Sequence, residues 1–118
     1  MSVEADIFSA LKALTSNRVY PDQAPEGVVT PYVTYQRVGG RAVNFLDGSD
    51  PDKENGRWQV SIWAETRLQA STIARLAKKA LRAAAPLQAT VLGEPVDTHE
   101  TTTNLYGTRQ DFSFWFSP

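Results

Sequence analysis

The chain has 118 residues, 42% of them hydrophobic and 21% charged, and twelve Lys and Arg against thirteen Asp and Glu leave a formal charge of −1. A chain of this length buries roughly two thirds of its unfolded surface, enough for one core, so residues 1–118 are expected to form a single domain. The apolar content excludes a disordered chain, and the balanced charge provides no excess of Lys and Arg for neutralising the phosphates of DNA or RNA.

Val3, Ile7, Ala10, Leu11 and Leu14 recur at helical spacing, which predicts a first helix over residues 3–14. Ser2 is placed to cap it, with Glu4 and Asp6 in the first turn, where free amides favour carboxylates. Arg18-Val-Tyr20 reads as a short strand, followed by a loop marked by Pro21, Pro25, Gly27 and Pro31. Tyr32 to Val38 is β-branched and aromatic, and Gly39-Gly40 separates it from a second short run, Arg41 to Leu46, which predicts a tight hairpin. Asp47 to Gly56 has almost no apolar residues and reads as an exposed, mobile loop or the tip of an arm.

Arg57 to Glu65 alternates, with Trp58, Val60, Ile62 and Ala64 on one face and Gln59, Ser61 and Trp63 on the other. Thr66 and Gln69 form a capping-box pattern ahead of a long helix. Leu68, Ile73, Leu76, Ala77, Ala80, Leu81 and Ala84 are assigned to its apolar side, and its cations to the solvated side, before Pro86 stops it. Ala89 to Leu92 and Val96 to Thr102 predict one or two strands. In the last strand Thr108, Gln110, Phe112, Phe114 and Phe116 oppose Arg109, Asp111, Ser113 and Trp115. The order predicts an α+β fold: a mainly antiparallel sheet, two helices packed on one face, and a projecting hairpin or loop arm.

Little chemistry is available to such a chain. Cysteine is absent, which removes disulfides, thiol nucleophiles and thiolate metal sites, and the one histidine, His99, falls in a predicted strand as a solvated residue. No catalytic residue, cofactor or metal is therefore expected. Asp47, Asp50, Asp52 and Glu54 lack the spacing of a calcium-binding loop and read as a solvated acidic segment. Gly39-Gly40 carries no phosphate-binding signature. The acidic start does not fit the basic beginning of a secretory signal, so none is expected, and no apolar run approaches the roughly 20 residues of a membrane span. The alternative reading is a small nucleic-acid-binding α+β module that stacks bases on an aromatic sheet, which the charge balance opposes. One feature asks for a partner. With Trp58 and the phenylalanines facing the helices, Trp63 and Trp115 lie on the opposite face, to be covered by the arm or by another subunit.

Several segments together carry a resemblance. Met-Ser-Val-Glu-Ala-Asp-Ile-Phe, Val-Tyr-Pro-Asp, Pro-Tyr-Val-Thr-Tyr-Gln, Gly-Gly-Arg-Ala-Val-Asn-Phe-Leu-Asp-Gly, Gln-Val-Ser-Ile-Trp-Ala and Gly-Thr-Arg-Gln-Asp-Phe-Ser span nearly the whole chain. They resemble a family encoded beside phage and prophage tail genes, similar in fold and gene context to tail-terminator, or tail-completion, proteins of long-tailed phages. Its motifs carry no known chemistry. The resemblance implies a virion tail protein, made in the bacterial cytoplasm, whose copies form a ring, typically hexameric, between the tail tube protein and the head–tail connector protein. Specific nucleic-acid binding and membrane attachment are not implied. On that basis Arg41, Val43, Phe45, Leu46, Trp63 and Trp115 are the candidate interface residues, and Asp47, Asp50, Asp52 and Glu54 a candidate acidic lining of the ring opening.

Overall fold

Ser2 opens the first helix by accepting the Ala5 N–H at 3.1 Å. The structure, a computed structural model, describes residues 2–118. Helix α1 (Val3–Leu11) buries Ile7 and Leu11 and tightens into a 3-10 turn over Lys12–Leu14. Strands β1 (Val19–Pro21), β2 (Tyr32–Gly39) and β3 (Glu54–Ala64) precede helix α2 (Arg67–Ala83), and β4 (Thr90–Val91), β5 (Val96–Glu100) and β6 (Leu105–Phe116) follow it. The sheet order is β1-β2-β3-β6, with β4 and β5 paired in succession along the free side of β6. Strands β1 and β2 pair in parallel.

The spine of the sheet is the ladder between β3 and β6, unbroken from Glu54↔Phe116 to Ala64↔Tyr106. Its helix-facing side carries Trp58, Val60, Ile62, Phe112, Phe114 and Phe116, all buried. With Val33 and Tyr35 of β2 they meet Ile7 and Leu11 of α1 and Ile73, Ala74, Ala77 and Leu81 of α2 in one core. Trp58 lies 6.0 Å from the Tyr35 ring and 6.4 Å from Phe114. Among the described residues the Trp58 Nε1–H has no partner. That costs about 1–3 kcal/mol, less than the roughly 4–6 kcal/mol from burying a tryptophan-sized surface. Tyr35 also ties α1 to the sheet, its Oη donating to Glu4 Oε1 at 3.1 Å.

Three sequence expectations are corrected. First, Gly39-Gly40 is not a hairpin turn, and Arg41 to Leu46 forms no strand. The antiparallel partner of β2 is β3, which leaves residues 40–53 as a loop arm at one end of the sheet. Sequence adjacency favours the hairpin, but the buried Val33 and Tyr35 of β2 stand opposite Ile62 and Val60 of β3 in the core. Second, Glu54, Asn55 and Gly56 begin β3 rather than ending the loop. Third, α2 buries Ala70, Ile73, Ala74, Ala77 and Leu81, whereas Leu68 and Leu76 are 76% and 46% exposed. The alanines let the helix axis approach the sheet and set its rotation, so Leu68 and Leu76 fall a third to a half of a turn away from the core. Of the capping box one half is seen, the Thr66 hydroxyl accepting the Gln69 N–H at 3.1 Å. The molecule measures 52 × 26 × 23 Å with a radius of gyration of 15.1 Å. An evenly packed chain of this length has about 13.5 Å, and the long β3–β6 ladder with the arm at its end accounts for the excess.

Candidate interaction surfaces

Side chains alternate along a strand, so the ladder that fills the core also presents a second, helix-free face. Across its middle run Thr34 and Gln36 of β2, Arg57, Gln59 and Ser61 of β3, and Arg109 and Asp111 of β6. Arg57 pairs with Asp111 at 2.8 Å, and Gln59 donates to the same carboxylate at 3.4 Å. The Arg57 side chain is half exposed, so this pair adds about 0–1 kcal/mol and mainly keeps the face polar.

Trp63 and Trp115 do lie on this face, both half-buried, but at opposite ends. Trp63 sits across from Tyr32 and over Gly107. A Cβ at Gly107 would come within 2.8 Å of two Trp63 ring carbons and 2.6 Å of Thr98 Oγ1, so glycine makes room for the indole. Next to Trp63 the face becomes a groove of about 870 Å³ between the loop of residues 22–30 and the turn of residues 100–105. Asp22, Glu26, Glu65 and Glu100 line it, with no Lys or Arg among the lining residues. Burial, and secondarily the charge of Glu100, push the Tyr32 phenol above its usual pKa.

The other end of the face holds the arm. Asn55 is buried and acts as its clasp: its Oδ1 accepts the Arg41 N–H at 2.9 Å, and its Nδ2 donates to Ser113 Oγ at 2.7 Å and to the Phe114 carbonyl at 3.1 Å. Gly40 must pass close to the Asn55 carbonyl with φ near +148°, and a Cβ there would collide with it. Beyond the clasp, Arg41 is exposed, Val43 half-buried, Phe45 50% exposed and Leu46 fully exposed. The arm therefore holds four of the six candidate interface residues, with Trp115 paired opposite Asn55 at its root. Trp63 stands apart, eight residues or about 27 Å along β3 from the clasp.

Asp47, Asp50 and Asp52 are exposed on the arm. The Ser49 hydroxyl and then its backbone N–H bind the Asp47 carboxylate, at 2.7 and 2.9 Å, and lower its pKa. Glu54 does not belong with them. It begins β3 and pairs with Arg37 at 3.5 Å. Among the described residues no three His, Cys, Asp or Glu side chains gather as metal ligands. No described helix is long and apolar enough to cross a membrane. His99 is exposed on β5, its Nε2 3.0 Å from Asn104 Oδ1 and its ring 4.7 Å from Tyr106. Two features escape sequence reading. Asn55 looks like one more polar loop residue, and its only signal is that it keeps step with Arg57 and Gln59 in the alternation. The groove joins segments about 80 residues apart in the chain, and no local pattern reports that.

A family model described as tail completion protein gp17 matches residues 7–117. No curated protein matches the chain by sequence. Among solved structures, a chain in the virion of a native gene transfer agent (GTA) particle superposes with a TM-score of 0.63 at 16% identity. The match covers 99% of this chain and 96% of that one. At that identity it speaks for the shared fold.

Proposed function

This chain belongs to the tail completion protein gp17 family and is a structural component of a phage-type virion tail, and from that premise we propose that it completes the tail as a ring. In this reading residues 1–118 act as one terminator-like domain, and copies, typically six, close on the head-proximal end of the tail tube and join it to the head connector. The observation that carries the reading is the two-sided build: helices cover one face of the sheet, while the other face is bare between its two tryptophans. A ring of identical subunits repeats a head-to-tail contact, which requires two different complementary surfaces on each copy.

The mechanism is geometric, with no bond made or broken. One rim of the ring fits the last tube subunits, and the opposite rim does not offer another tube subunit the same surface, so growth stops. The arm reaches a neighbouring copy or the tube, with Phe45 and Leu46 as apolar anchors, Val43 supporting them and Arg41 as a charged contact. Asp47, Asp50 and Asp52 line the opening, where like charge keeps passing DNA from adhering within roughly 10 Å at 0.1 M salt. Electron microscopy of tails made with and without the chain tests the assignment. Overlong or headless tails in its absence support it, and normal virions refute it.

A further inference from the structure

The geometry points to one contact that builds the ring: the solvent-facing stripe of α2 on one copy of this chain lies in the acidic groove on the bare sheet face of the next copy. This inference deepens the ring reading and rests on it.

The stripe is unusual for a solvated helix face. Leu68 and Leu76 are exposed beside Arg75, Lys79 and Arg82, which are also exposed and in no ion pair among the described residues. Burying two leucines is worth more than any exposed ion pair, at about 1.5–3 kcal/mol each against about 0–1. Leucine burial can therefore hold the contact while charge selects its register. The groove supplies the complement, with four carboxylates, no Lys or Arg, and Tyr32 and Trp63 as apolar surface.

The shapes also agree. A helix is about 10 Å across, and two strand spacings make a floor of about 9.6 Å. The decisive point is placement. Ala70, Ala74 and Ala77 turn one side of α2 to the sheet, so Arg75 and Lys79 face away from it, while the groove opens on the far side of the sheet. The two surfaces lie on opposite sides of the molecule, and each copy can use both at once, as a closed head-to-tail ring requires.

The chain contains no cysteine, so an introduced pair reports on this contact alone. L76C combined with S61C on the groove floor, oxidised in assembled tails, is expected to give a ladder of linked chains that ends at the ring number. Either substitution alone is expected to give none. The triple reversal R75E/K79E/R82E is expected to abolish rings while leaving the melting temperature of the monomer unchanged, and E26K/E65K/E100K on the same chain is expected to restore them. Rings seen by microscopy without a ladder, or rings that survive the R75E/K79E/R82E reversal, overturn the contact and leave the ring reading standing. Groove reversal that spares rings but detaches them from tails also overturns it, assigning the groove to the tube protein. Absence of rings from tails carrying the unaltered chain overturns both.

Discussion

Asn55 couples the fold to the arm, so Asn55→Ala separates their contributions. The substitution removes three hydrogen bonds, from the Arg41 N–H and to Ser113 Oγ and the Phe114 carbonyl. Arg41 is exposed and Ser113 half-buried, and water replaces much of what they lose, leaving about 0.5 kcal/mol for each. The bond to the Phe114 carbonyl is buried, and an unpaired group there costs about 1–2 kcal/mol. A loss of about 2–3 kcal/mol follows. A chain of 118 residues unfolds with an entropy of about 0.25 kcal/mol/K, so the melting temperature should fall by about 8–12 °C. The arm should loosen as well, because its backbone anchor at Arg41 is gone. Calorimetry measures the first effect, and the rate of tryptic cleavage after Arg41 and Lys53 in the still-folded protein measures the second. A melting temperature within about 2 °C of the parent, together with an unchanged cleavage rate, would refute the clasp.

Three further outcomes are expected. Phe45→Ser with Leu46→Ser should cost about 1 kcal/mol, since Leu46 is already in solvent and Phe45 only half-buried, yet abolish incorporation into tails. Full incorporation, scored by immunogold labelling, would remove the arm from the interface. Gly107→Val should cost about 1–3 kcal/mol and displace the Trp63 indole, visible as a fluorescence change that vanishes in a Trp63→Phe background. Burial, then the hydrogen bond to Glu4, then the charges of Glu4 and Asp22, push the Tyr35 phenol up to about 12. The unfolded phenol ionises near 10. Its contribution is therefore complete below pH 10 and is lost as pH rises through about 12. Relative to the parent, Tyr35→Phe should show a shallower fall in melting temperature across that window, and parallel curves would count against the raised phenol pKa.

The correspondence between sequence and structure follows the range of the forces involved. Alternation in Arg57 to Glu65 and Thr108 to Phe116 is local, and both strands appear with the expected faces. The Ser2 and Thr66 caps act over three residues and are found in place. The rotation of α2 departs from the hydropathy pattern, which favours Leu68 and Leu76 over Ala70 and Ala74, because close approach to a sheet favours the smaller side chains. No hairpin forms at Gly39-Gly40, for a related reason. Two glycines permit a turn, but which strand then pairs depends on where the buried residues of β3, Trp58, Val60 and Ile62, lie. Of the candidate surface residues, those on the arm were recognisable as apolar side chains in a polar stretch. The groove was not, because its walls come from separate parts of the chain.

Composition and short-range pattern were thus enough to indicate an α+β fold and aromatics on both sides of its sheet. They follow from side-chain type and from repeats of 2 and 3.6 residues, which any local segment carries. Pairing β2 with β3, burying Asn55 under the arm and setting an acidic groove on the opposite side from a basic helix stripe required the folded chain. Each depends on burial shared between distant segments. The net charge of −1 hides that division, because a sum over the sequence is blind to the side of the sheet on which a charge is displayed.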